Sequence, residues 1–209
     1  SSATVIAICS FSAFSGFLFL NAIYLQEVRG YSAFQTGLCT LPMALATIVC
    51  SPFSGRLIGT HGTRPSLLIS GTATAVSALI LAHMTATTPL GFLLLSYVIF
   101  GIGFGMVNAP ITNTAVSGMP KAQAGLAAAV ASTSRQIGAS LGVAIAGTIA
   151  GARGVLRDFP QATHPFWWLV VGGGAVVVFL GWLSSTSWAH DSRRHAAHLL
   201  EEAPSGAAV

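Results

Sequence analysis

Charged side chains are scarce in this chain. Asp, Glu, Lys and Arg make up 7% of its 209 residues, where a soluble domain carries roughly 25%. Hydrophobic residues are 53% and the mean hydropathy is +0.75. A fold in water needs a charged shell around that much apolar surface, so the shortage excludes an ordinary soluble domain. The nine basic residues are dispersed, with only Arg193 and Arg194 adjacent, which excludes a phosphate-binding face for nucleic acid. Cysteine is sparse too. Cys9, Cys39 and Cys50 form no C-x-x-C pair and no Cys/His zinc spacing, so they read as small hydrophobes rather than a disulfide framework or metal centre. The chain opens Ser1-Ser2-Ala3 with no basic segment before its first apolar run. That pattern is not a signal peptide, and it reads as a sequence that starts inside a longer protein.

Long apolar runs are abundant. An apolar helix needs about 20 residues to cross a hydrocarbon core of about 30 Å. Six stretches qualify, at about 3–25, 34–58, 66–84, 90–111, 124–150 and 166–185. They are too long and too continuously apolar for barrel strands, which alternate over about 10 residues. The predicted fold class is therefore all-α: a polytopic membrane protein with a six-helix domain over 1–189 and a polar tail over 190–209. Arg56, Arg64, Lys121, Arg193 and Arg194 would share one face of the membrane. Arg29, Arg153 and Arg157, beside Glu27 and Asp158, would share the other. The positive-inside rule then places both termini in the cytoplasm. Phe166, Trp167 and Trp168 would form an aromatic belt at the outer interface, with Trp182 and Trp188 near the inner one.

Small residues punctuate the spans. Gly138, Gly142 and Ala146 recur at intervals of four, and Gly101, Gly103 and Gly105, with Gly172 to Gly174, add two further clusters. In lipid such residues let helices approach closely. They are equally compatible with static packing and with sliding contacts. Gly138-Ala139-Ser140-Leu141-Gly142 matches the nucleophile-elbow pattern G-x-S-x-G, which requires a strand–turn–helix setting. Within a continuous helix, and with every histidine in a loop, at a span end or in the tail, it carries no hydrolytic chemistry. The chain is predicted not to be an enzyme and to need no cofactor or metal.

The second inter-span junction reads Gly55-Arg56-Leu57-Ile58-Gly59-Thr60-His61-Gly62-Thr63-Arg64-Pro65-Ser66-Leu67. It resembles the cytoplasmic loop signature of the major facilitator superfamily, G-x-L-x-D-R-x-G-R-[RK]-x-x-L. Gly55, Leu57, Gly62, Arg64 and Leu67 match. Gly59 replaces the Asp, and Thr60 and Thr63 replace two basic positions. Tyr24-Leu25-Gln26, Gly30-Tyr31-Ser32 and Gly37-Leu38 with Pro42 resemble the ninth and tenth helices of the 14-helix drug:proton antiporters of the EmrB/QacA type. Ser134 to Ile145 resembles the thirteenth. The resemblance runs from about Phe11 to about Trp182. It implies one half of a major facilitator fold, built from two inverted three-helix repeats, in the plasma (bacterial inner) membrane. It also implies an efflux antiporter whose other partners are the N-terminal half of the same transporter, the lipid bilayer, a small lipophilic substrate and protons. The rival readings are a non-transport six-helix scaffold and a half-transporter that works as a homodimer.

In that superfamily the first helix of each triplet lines the central cavity. The resemblance thus nominates Phe14, Phe17, Asn21 and Tyr24 on the first span, and Tyr97, Phe104 and Asn108 on the fourth, as substrate-binding residues. Their spacings of three and four put each set on one helix face. Arg135 is the one charged residue well inside a span. It would pair with a carboxylate elsewhere, contact substrate, or snorkel to the surface. No Asp or Glu lies within any predicted span. Proton coupling commonly uses a membrane-embedded carboxylate, so the coupling groups are expected in the N-terminal half.

Overall fold

The computed structural model describes residues 2–85, 87–116, 124–151 and 159–183. Lys121, Arg153, Arg157, Asp158, Trp188 and the tail lie outside the described residues, and so does most of the charge bias used to orient the chain. Six α-helices are present, with no strand among the described residues: α1 (Ser2–Ile23), α2 (Ala33–His61), α3 (Thr63–Ala82), α4 (Leu90–Val116), α5 (Ala124–Gly151) and α6 (Phe159–Leu183). Five are long and apolar enough to cross a membrane. The exception is α5, 28 residues long, where Arg135, Gln136 and many Ala, Gly and Ser residues lower the hydropathy.

Local chemistry sets the helix ends. A single π-helical turn, Tyr24–Val28, continues α1 and closes with the Arg29 N–H on the Tyr24 carbonyl at 3.0 Å. α2 starts with a capping box: Gln35 N–H donates to Ser32 Oγ, and Ser32 N–H donates to Gln35 Oε1. The α2–α3 junction was expected to span Gly59–Pro65. It is one residue, Gly62, at φ +78°, a backbone region open to glycine at little cost. Gly55 and Gly59 lie inside α2 with open space around them, so only one of the signature's glycines makes the turn.

α6 starts at Phe159, seven residues before the expected Phe166, which moves the Phe-Trp-Trp cluster about 10 Å along the helix. Phe166 and Trp167 are therefore core residues, fully enclosed, and not part of an aromatic belt. Trp168 and Trp182 remain more than half exposed.

The helices pack as an internal two-fold. α1 packs chiefly on α5, α2 on α4, and α3 on α6 and α4. Exchanging α1–α2–α3 with α4–α5–α6 converts the first pairing into the second and leaves the α3–α6 pairing unchanged. Gly138 and Gly142 of α5 meet Ile8 and Ser12 of α1, and Gly101 and Gly105 of α4 meet Met43 and Thr47 of α2, so both pairs run parallel. α1 and α4 run antiparallel, since Phe14 meets Phe104 while Asn21 meets Tyr97. The triplets are thus inverted relative to one another. A local detail repeats with them. Asn21 Nδ2 donates to the Phe17 carbonyl at 2.9 Å, and Asn108 Nδ2 donates to the Phe104 carbonyl at 3.0 Å.

At the α3–α6 crossing a β-carbon on Gly71 would lie 2.6 Å from the Gly174 carbonyl oxygen, and one on Gly174 would lie 2.8 Å from that of Gly71. Gly71→Ala is expected to destabilise by about 1–3 kcal/mol through overpacking. Gly172→Ala, with nothing within 4 Å, should stay within about 0.5 kcal/mol. Apparent Tm in detergent checks the pair, and equal shifts would refute the crossing.

Candidate functional site

The nominated residues divide into two sets along the α1–α4 seam. Phe17, Asn21, Tyr24 and Tyr97 are completely buried. Phe14, Phe104 and Asn108 are half-buried and share a surface. The seven therefore do not form one lining; four are enclosed and three, farther along the seam, remain accessible.

The buried set is a polar tie inside an aromatic core. Tyr97 Oη donates to Asn21 Oδ1 at 2.6 Å, joining α4 to α1. The Asn21 amide nitrogen is used within its own helix. Around the tie, Phe17 stacks on Phe100 at 4.1 Å and meets Tyr97 and Trp167 edge-on. Tyr24 Oη donates to the Thr85 carbonyl at 2.7 Å, pinning the end of α1 to the segment after α3. Away from water, each of these hydroxyl and amide groups needs a protein partner.

The accessible set runs as a chain of contacts. Phe14 stacks on Phe104 with ring centres 4.0 Å apart and planes 8° from parallel. Phe11 meets the Phe104 ring edge-on at 5.2 Å. The Arg135 guanidinium of α5 sits 5.7 Å over the Phe11 ring, and its Nη2 donates to Thr112 Oγ1 of α4 at 2.9 Å. Thr112 Oγ1 donates to the Asn108 carbonyl at 3.2 Å, which brings the path back to the α4 stripe. Arg135 is tied to α1 and α4 by these two contacts, and its hydrogen bond to the exposed Thr112 lies near the end of the α4 span. Phe11 and Thr112 were not singled out from sequence. Each lies one turn beyond the recognised stripe, at i−3 from Phe14 and i+4 from Asn108, so extending the stripe by a turn would have found them.

The face is cationic. Among the described residues Glu27 is the one carboxylate, exposed in the π-helical turn. It lies sixteen residues from Phe11, about 24 Å along α1. No cluster of His, Cys, Asp or Glu suited to a metal occurs among the described residues. Ser140 of the G-x-S-x-G match lies mid-helix in α5, and the glycines beside it pack on α1. The signature residues Gly55, Gly62 and Arg64 are exposed and Leu57 is half-buried, at the α2–α3 junction and apart from the seam. An opening of about 250 Å³ lies away from the seam, between α1, α5 and α6, lined by Ile8, Leu141, Ile145, Leu169 and Val176 among others. Its hydroxyl, Ser12 Oγ, is already committed to the Gly138 carbonyl at 2.8 Å. That opening offers shape and apolar contact, while the seam also offers charge and free amide oxygen.

Known proteins resemble this chain along most of its helices. It is 32% identical over 149 residues to the multidrug resistance protein Stp of Mycobacterium tuberculosis, covering 71% of this chain and 28% of that one. It is 32% identical over 153 residues to the tetracenomycin C resistance and export protein of Streptomyces glaucescens, covering 73% and 28%. With the puromycin resistance protein of Streptomyces alboniger it shares 35% over 151 residues, covering 69% and 29%. The match thus spans under a third of each relative's length. Residues 1–143 match the family model of the Major Facilitator Superfamily. With six helices packed as two inverted triplets, the chain belongs to the major facilitator superfamily.

Proposed function

We propose that this chain is the C-terminal half of a 14-helix secondary active transporter that exports lipophilic small molecules in exchange for protons by alternating access. On this reading it lies in the plasma membrane, both of its ends face the cytoplasm, and an N-terminal half completes the cavity. The observation that carries the reading is the half-exposed face at the α1–α4 seam, where Phe14, Phe104, Phe11, Arg135, Thr112 and Asn108 touch in sequence. Stacked rings give a lipophilic ligand broad contact, and a few polar groups orient it. The relatives' names support the substrate class, since they describe resistance and export of drug-like compounds. The described spans hold no carboxylate beyond the exposed Glu27, so the groups that bind and release the coupling proton belong to the other half.

The buried tie is assigned positioning, not binding. It fixes the spacing of the two helices that carry the face, and its members are completely buried.

Everted vesicles containing the complete protein test the reading. An imposed proton gradient should drive uptake of a lipophilic dye, and a protonophore should abolish it. Phe104→Ala should weaken dye affinity about tenfold, or about 1.4 kcal/mol, and Asn108→Ala should change the order of preference among dyes. Unchanged profiles in both variants would remove the face as a binding site. Transport indifferent to the gradient would remove the antiport. Transport by this chain expressed alone would favour the homodimer.

Tyr97→Phe separates positioning from binding. It leaves Asn21 Oδ1 enclosed without a donor, which should cost about 1 kcal/mol, the scale measured for interhelical bonds in membranes. Apparent Tm should fall while the order of dye preference stays fixed. A reordered preference would move Tyr97 into the binding surface.

A further inference from the structure

Among the described residues Arg135 meets few hydrogen-bond acceptors. Of the five N–H donors on a guanidinium, one meets Thr112 Oγ1. Nε is buried and meets no acceptor, and no described residue pairs Arg135 with a carboxylate. The described cations other than Arg135 are Arg29, Arg56 and Arg64, which lie within about two turns of a helix end. Arg135 is eleven residues into α5, about 16 Å from its first residue. An unneutralised charge within a membrane bundle is costly, and such charges mark ligand or ion paths.

Arg135 is joined to the aromatic face through Phe11. The guanidinium lies over Phe11, and Phe11 lies against the Phe104 ring of the stacked pair. Two steps of 5.7 and 5.2 Å therefore separate the positive charge from that aromatic platform. A fused-ring molecule resting on the platform would bring a substituent within reach of the guanidinium. A cationic substituent there meets like charge. An anionic one meets donors that are already held in place.

We propose that Arg135, steadied by Thr112 and the Phe11 ring, anchors an anionic oxygen of the transported ligand: a carboxylate, a sulfonate or an ionised phenol carried on a flat apolar body. This rests on the reading of the seam as the ligand face and narrows its substrate class. Arg135 is a binding residue on this assignment, and the face selects against lipophilic cations.

The test uses the complete transporter in phosphatidylcholine liposomes. Two radiolabelled probes of equal ring size are compared, naphthalene sulfonate and naphthyl-trimethylammonium. Wild-type protein should bind and export the sulfonate in preference. Arg135→Gln should lose sulfonate affinity at least tenfold and hold or raise affinity for the ammonium probe. Arg135→Lys, which keeps the charge, should retain sulfonate binding within about threefold. The anion assignment is overturned by wild type preferring the ammonium probe, or by Arg135→Gln leaving sulfonate binding unchanged. It is also overturned by Arg135→Gln lowering both probes equally, the result expected if Arg135 instead pairs with a carboxylate of the N-terminal half. Sulfonate binding lost from wild type when phosphatidylglycerol replaces part of the lipid would assign the guanidinium to a lipid phosphate and overturn it as well. Should Arg135→Gln fail to fold, the wild-type preference decides alone. Wild type that binds neither probe sinks the ligand-face reading itself, a result distinct from all of these.

Discussion

Close backbone approach at glycine holds this bundle together. Lipid gives helices no hydrophobic reason to associate, so packing and interhelical hydrogen bonds must do so. Both need the helix axes to come near. Gly138 and Gly142 bring α5 against α1, Gly101 and Gly105 bring α4 against α2, and Gly71 and Gly174 bring α3 against α6. The approach exposes backbone carbonyls to side chains of the facing helix. Ser12 Oγ then donates to the Gly138 carbonyl at 2.8 Å and Thr47 Oγ1 to the Gly101 carbonyl at 3.1 Å. Ser54 and Ser66 both donate to the Met106 carbonyl, at 2.8 and 2.7 Å, and Ser77 donates to that of Ser96 at 2.7 Å. The same small residues thus set the distance and make the polar bonds possible. A β-carbon at Gly142 would collide with the Ser12 carbonyl oxygen, displacing the helix that carries the hydroxyl.

Those crossings leave α1 and α4 beside each other, because each is flanked by the second helix of the opposite triplet. The α1–α4 seam then differs in burial along its length. Nearest the interior, Phe17, Phe100, Tyr97, Asn21 and Trp167 close without gaps large enough to expose them. Farther along the seam, Phe14, Phe104 and Asn108 keep part of their surface. The repeat explains the difference. Asn21 and Asn108 bond to the phenylalanine four residues back in the same way, yet only Asn21 meets a tyrosine from the facing helix. The unmatched oxygen of Asn108 is left at the accessible surface. One motif, used twice, ties two helices together in the first triplet and bonds only within its own helix in the second.

Much of this was legible in the sequence, and what was missed has physical causes. Apolar run length is a strong signal, so the six helices and the all-α class followed from composition. Gly62 could be read as a turn because its neighbours match a known loop signature. The start of α6 was not legible: Pro160, Gln161, His164 and Pro165 look like a linker, but proline is tolerated in a helix's first turn. In the structure Pro160 is the second residue of α6, which also contains Pro165. Helical spacing put Phe14, Phe17, Asn21 and Tyr24 on one face correctly as geometry. It could not say which part of that face another helix covers. Burial is decided by α4 and α6, and Trp167 reaches Phe17 from α6. The internal repeat also escaped sequence inspection, since its trace is the spacing Phe-x-x-x-Asn at Phe17–Asn21 and Phe104–Asn108, too short to stand out.

Charge placement gives the fold its chemical direction. The described helices carry one cation far from any helix end and no carboxylate near it. No described residue neutralises that charge. The aromatic platform and the guanidinium are joined through Phe11, so a molecule bound to the rings is also within the field of the charge. Apolar contact alone discriminates weakly between ligands of similar size; a missing methylene is worth only about 1–3 kcal/mol. A fixed charge beside the rings discriminates by sign, which apolar surface cannot do. On the proposed assignment, breadth of binding comes from the rings and selection from Arg135. The glycine crossings hold the two at a constant separation by bringing α5 to α1 and α4 to α2.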